Sequence, residues 1–166
     1  MTGRLRIVQC FALTGLMLVG VRVAPAAAQG GNAGLTPATQ QELAAARRAT
    51  ARYHDVAQAE ADGYVNIDLY VSGEGFHWVN VSLVDGTFDP AHPEILLYAP
   101  VPGESRLQLV GVEYVVPLSE PRPEGFTGSA DRWRQDAEDF ALWELTAWIW
   151  EHNPQGVFAY LNPRVP

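Results

Sequence analysis

LWELTAWIWEHNPQG, residues Leu142–Gly156, packs three tryptophans, two glutamates and a histidine into fifteen positions and closes on an Asn-Pro turn. Its alternation reads as a strand. Trp143, Leu145, Ala147 and Ile149 fall on one face, apolar throughout, which a helix would cover. Glu144, Thr146, Trp148 and Trp150 fall on the other, where a carboxylate and a hydroxyl stand among indoles. Such a face suits a pocket wall, because indoles supply area and polar groups orientation. The competing reading is a sheet face covered by the Pro-rich stretch 117–128.

Upstream lie further segments of the same kind. Leu107–Val116 alternates Leu107, Leu109, Gly111, Glu113 and Val115 with Gln108, Val110, Val112, Tyr114 and Val116. Tyr64–Val71, Phe76–Leu83 and Ile95–Ala99 complete the strands, with turn signals at 72–75, 84–93 and 100–105. Before them, Thr36 and Pro37 offer an N-cap and a first-turn proline, and Thr39 to Glu42 an overlapping capping box. A helix is expected from there to about Ala61, ended by Asp62-Gly63. Ser129 is expected to cap a short second helix carrying Trp133, Ala137 and Phe140 on one face. Val157–Pro166 reads as a surface tail. The sum is an α+β fold: a mainly antiparallel sheet packed against one long N-terminal helix, plus the short second helix.

The first residues have a different character. Arg4 and Arg6 precede a mostly apolar run, Ile7 to Val21, and Ala26-x-Ala28 follows. This is the pattern of a secretory signal, 1–28, with cleavage between Ala28 and Gln29. Gln29–Leu35 is a Gly-rich tether, and 36–166 a single domain. Beyond residue 28 the chain carries eight arginines, no lysine and nineteen carboxylates, a net charge of −11. That balance argues against nucleic acid or an anionic membrane as partner, since both ask for a positive surface. Cys10 lies within the signal, so no disulfide is available to the mature chain. The expected location is secreted or periplasmic.

Glu113 is the residue that asks most of its surroundings. It sits in mid-strand with apolar residues on both faces, and a buried carboxylate needs a partner or a raised pKa. His77 stands between Phe76 and Trp78 just after Gly73-Glu74-Gly75, where glycine permits close backbone approach. The case for joining it to Glu113 rests on the two being cross-strand neighbours. His152 stands near the final turn, and His77, Glu113 and His152 together would make a two-histidine, one-carboxylate set for a divalent metal. Asp85, Asp89 and Glu94 could gather calcium, although EF-hand spacing is absent. No serine elbow, phosphate loop, dinucleotide fingerprint, Cys-x-x-Cys or His-Glu-x-x-His is present, so no motif assigns a reaction.

GEGFHWVN, DPAHPEILLYAP, LVGVEYVVP and WIWEHNPQGVFAYLNPRV, in that order, resemble a family of small, functionally uncharacterised exported bacterial proteins, from about Ala49 to the C-terminus. His77 and Glu113 match its motif positions. The family often has a histidine where this chain has Thr146, and a cysteine near the end of the tail that is absent here. The resemblance implies export and brings no established activity. Three readings stay open: a small-ligand pocket lined by His77, Glu113, Thr146 and Trp148; a metal protein or metal-dependent enzyme using His77, Glu113 and His152; and a structural envelope protein without a site.

Overall fold

The computed structural model describes residues 34–128, 130–136 and 139–166. The expected signal, its cleavage position and residues 29–33 of the tether lie outside them. Leu35, the last tether residue, already packs on the core.

Helix α1 spans Pro37–Thr50. Thr36 caps it, with its hydroxyl accepting from the Thr39 amide at 3.1 Å while the Thr36 amide donates to the Thr39 hydroxyl, also at 3.1 Å. Glu42, the expected partner of Thr39, instead accepts from the amide and hydroxyl of Thr127 at 2.7 and 2.6 Å. The helix does not run on to Ala61. A 3-10 turn, Ala51–His54, follows it, and Asp55 then caps α2, Val56–Ala61, through the Ala57 amide at 3.0 Å. An aspartate side chain competes for backbone amides and so favours a new helix start over continuation. The break leaves the Tyr53 carbonyl free to accept from the Tyr98 hydroxyl at 2.5 Å.

Six strands form one antiparallel sheet: β1 Val65–Val71, β2 Gly75–Val79, β3 Ile95–Pro100, β4 Leu107–Pro117, β5 Arg134–Gln135 and β6 Leu142–Ala147. Their spatial order is β1-β2-β3-β4-β6-β5. The α+β class therefore holds. The expected short helix does not hold where it is described: β5 lies there and pairs with β6 through Arg134↔Glu144 and Gln135↔Trp143, while the expected cap Ser129 and Ala137 lie outside the described residues. Trp133 still reaches the core, 9 % exposed. Pairing with an edge that β6 would otherwise leave open supplies backbone hydrogen bonds that the helical reading of the apolar spacing did not weigh.

Two departures from simple alternation decide what faces what. In β4 the register with β3 shifts between Leu97↔Gly111 and Tyr98↔Leu109, leaving Val110 as an extra residue. A bulge inverts the alternation beyond it. Leu107 and Leu109 thus join Val112, Tyr114 and Val116, while Val110 joins Val115. The expected placement of Leu107 and Leu109 with Glu113 is corrected accordingly. The Val110 carbonyl accepts from the Trp150 and Glu151 amides at 3.2 and 2.8 Å. In the second departure, β6 stops at Ala147, so Ile149 and Trp150 both pack in the larger cluster, and Trp150 donates to the Thr50 hydroxyl at 3.1 Å.

The sheet separates two apolar clusters. The larger holds Trp78, Leu96, Tyr98, Val112, Tyr114, Phe126 and Leu145 against Ala46 and Ala59 of the helices. The smaller holds Ile95, Leu97, Val110, Val115, Trp148 and Val165 on the other face. That second face is concave: Ile67 and Leu69 of β1 line the same cleft as Leu142 and Glu144 of β6, four strands away. The C-terminal segment is more than a surface tail. Phe158, Asn162 and Val165 are buried, and the Pro166 carbonyl accepts from the Gly73 amide at 3.1 Å. No helix among the described residues is long and apolar enough to cross a membrane.

Candidate functional site

Glu113 is fully buried on the concave face, opposite Thr146 of β6 and Ile95 of β3. His77 of β2 pairs with Leu97, so β3 lies between histidine and glutamate. They are not cross-strand neighbours, as the sequence reading required. They meet across β3 because the sheet curls, with His77 Nε2 3.5 Å from Glu113 Oε2. The same nitrogen lies 3.5 Å from Glu74 Oε2.

Glu74 is the residue that the sequence reading passed over as part of a flexible turn. Its amide donates to the Val71 carbonyl at 2.9 Å, closing the β1–β2 turn. Gly75 follows at φ +95°, where a side chain would be strained and a Cβ would overlap the Tyr98 carbonyl oxygen. This is the close approach that the glycines implied, and its object is backbone. It brings the β1–β2 turn onto the sheet and buries Glu74 to 2 % exposure. The signal that could have found Glu74 is its setting: a carboxylate held between two glycines one turn before His77.

Each member of the cluster has a second anchor. His77 Nδ1 lies 3.3 Å from the Leu69 carbonyl. The Thr146 hydroxyl donates to Glu113 Oε1 at 2.8 Å. Arg134 reaches Glu74 Oε1 at 3.3 Å, pairs with Glu144, and sits over the Tyr160 ring at 3.2 Å from its centroid. Arg134 thus ties the last edge strand to the first turn. Three carboxylates here face one guanidinium and one imidazole.

Electrostatics follow from that arrangement. Burial opposes charge on His77, but the two carboxylates outweigh it and push its pKa up to about 10. Burial pushes Glu74 up to about 7 against the pull of His77 and Arg134. Burial also opposes ionisation of Glu113, yet the bonds from His77 and Thr146 hold it below the usual carboxylate range.

Above the cluster opens a cleft of about 240 Å³ whose walls are apolar, among them Leu69, Val79, Val84, Ile95, Val115 and Leu142. His77, Glu113 and Glu144 reach its floor, and Ile67, Val81 and Phe140, 45 %, 78 % and 56 % exposed, stand at its mouth. Two other hollows differ in chemistry. One, about 320 Å³, is lined by Arg47, Trp150 and His152; the other, about 590 Å³, is a polar loop surface formed by 122–128 and Asp131.

The structure therefore brings His77, Glu113 and Thr146 together. Trp148 packs in the smaller cluster against Gly111, donates to the Ala159 carbonyl at 2.6 Å, and lines the 320 Å³ hollow rather than the cleft. His152 is exposed in the separate 320 Å³ hollow. Among the described residues, the group spaced to share one ion is Glu74, His77 and Glu113, without His152. The acidic loop does not assemble for calcium: Asp85 and Asp89 cap Thr87 and Ala91, while Glu94 is buried against the Val115 amide at 3.1 Å. Comparison with family models, curated proteins and solved structures finds no match.

Proposed function

We propose that this is an exported binding protein of the small family its motifs resemble, and that its concave face takes a small, mainly apolar ligand with one polar group. The observation that carries this reading is the cleft itself, with aliphatic walls ending on the buried imidazole and carboxylates of His77, Glu113 and Glu144. Concave apolar sites with a few convergent polar groups are the usual form of small-molecule sites. An apolar cavity of about 150 Å³ holds benzene, so about 240 Å³ suits a body of roughly ten carbon atoms. His77 and Glu113 orient the polar group, and Thr146 fixes Glu113.

The test is thermal unfolding of the mature chain, in chelator, with octan-1-ol and with ethanol as control. Octanol raises Tm and ethanol does not, and Val84→Trp, which fills the cleft from its wall, removes the octanol response. Equal shifts in wild type and Val84→Trp would sink the reading. N-terminal sequencing of the exported fraction, expected to begin at Gln29, tests the export half.

Arg134 favours a second reading, a structural envelope protein whose buried charges are only a closed network. Replacing a buried charge with a neutral isostere can stabilise a protein by relieving desolvation. Raised stability in Glu113→Gln, with no octanol response in the wild type, is the result that supports it.

A further inference from the structure

We infer that Glu74, His77 and Glu113 form a binding site for one divalent cation of the zinc class. This goes beyond the occupant of the cleft and does not depend on it.

The argument is geometric. His77 Nε2 stands 3.5 Å from one oxygen of each glutamate. Charge-assisted hydrogen bonds between such groups settle at about 2.7–2.9 Å. A tetrahedral ion with bonds of about 2.1 Å holds its ligand atoms roughly 3.4 Å apart. Both spacings from the imidazole therefore match an ion's coordination edge more closely than a direct ion pair. One ligand atom from each of the three residues lies within 4.8 Å of the others.

The remaining atom of each ligand is held from behind. Nδ1 of His77 meets the Leu69 carbonyl, which leaves Nε2 as the nitrogen that faces the carboxylates. Oε1 of Glu113 accepts from Thr146, and Oε1 of Glu74 from Arg134. Outer partners of this kind orient metal ligands and fix the histidine tautomer. Binding an ion would displace the proton that the two carboxylates otherwise hold on His77, and the charges of Glu74 and Glu113 then match that of a divalent ion. One imidazole with two carboxylates suits zinc, or manganese and iron of the same charge, better than soft Cu(I), which selects sulfur ligands. His77 and Glu113 also line the cleft, so the ion has a way in.

The experiment uses tag-free mature protein, stripped with chelator and titrated with zinc sulfate by calorimetry, then with cobalt(II) by visible absorption. The wild type is expected to bind one ion per chain, with the strong visible bands of four- or five-coordinate cobalt. Thr146→Val weakens zinc binding about ten- to a hundredfold, the usual cost of losing an outer partner. Glu74→Gln weakens it more, and His152→Ala leaves it unchanged. The site is overturned by an absence of stoichiometric zinc in the wild type, by the weak spectrum of six-coordinate aqueous cobalt, by Glu74→Gln binding as the wild type does, or by loss of binding in His152→Ala. The wild-type spectrum and His152→Ala decide the matter even where Glu74→Gln does not fold. The octanol response is measured in chelator, so failure of either reading leaves the other standing.

Discussion

On the helix side of the sheet, the hydroxyls of Tyr64, Tyr98 and Tyr114 donate to the backbone carbonyls of Pro93, Tyr53 and Pro90 at 2.7, 2.5 and 2.9 Å. On the concave side, Glu74, His77, Glu113 and Glu144 meet one another, Thr146 and Arg134. The first arrangement ties loops and helix ends to an aromatic core, since a phenol carries area and one polar atom to satisfy. The second gathers ionisable groups, whose burial is costly and is offset only by mutual pairing or a bound ion. The tyrosine anchors and most of the buried aromatic rings lie on one side of the sheet, and the cleft with its histidine and carboxylates on the other.

The largest expected break in that comparison is on the helix side. Leu96 is fully buried among Trp78, Tyr98 and Val112. Leu96→Ala is expected to cost ~2–5 kcal/mol in denaturant unfolding, with zinc affinity retained in the population that remains folded. Loss of zinc binding from the folded state would mean that the two faces are not separable.

Glu94 is next, a buried acid near Tyr64 and Tyr114, whose phenols are raised first by burial and further by its charge. Burial pushes its pKa up to about 8 from an ordinary 4.5, against the pull of the Val115 amide. The folded state thus holds this proton more tightly than the unfolded chain does. The stabilisation is complete below pH 4.5 and is lost as pH rises through 8. Glu94→Gln keeps an acceptor for Val115 and cannot ionise. Its urea midpoint is expected to decline less than the wild type's between pH 5 and pH 8, and parallel curves would show that Glu94 does not titrate there.

A smaller effect is expected across the sheet. Thr146→Val removes the donor to Glu113 and is expected to cost ~1.5–3 kcal/mol, the range for hydrogen bonds to charged groups. Equilibrium unfolding in chelator measures it, and a cost near zero would mean that Glu113 is satisfied without Thr146. Val81 at the cleft mouth gives the smallest change. Val81→Ser should leave stability within about 0.5 kcal/mol, as for other surface changes, while reducing the octanol shift. An unchanged shift would place the ligand away from that rim.

Much of this was legible in the residues. The strands around Trp78, Leu96, Val112 and Leu145 follow from period-two alternation, and the start of α1 from Thr36-Pro37. Glu113 was conspicuous because a carboxylate among valines has few ways to be satisfied. Glu74 was not, because Ser-Gly-Glu-Gly reads as a solvated turn until Gly75 is seen lying against Tyr98. His152 drew attention by type and proximity to a turn, neither of which says which hollow it lines. The bulge at Val110 is silent in the sequence, since both registers offer apolar residues to both faces.

By itself, then, the sequence determined the antiparallel strands, the acidic balance and the presence of a carboxylate in an apolar strand. Those depend on spacing and composition, which are local. The tertiary structure decided that the sheet curls, that His77 reaches Glu113 across β3, and that Glu74 and Arg134 from opposite ends of the sheet complete the cluster. Those depend on twist, a bulge and the closure of distant strands, and no neighbour in the chain records them.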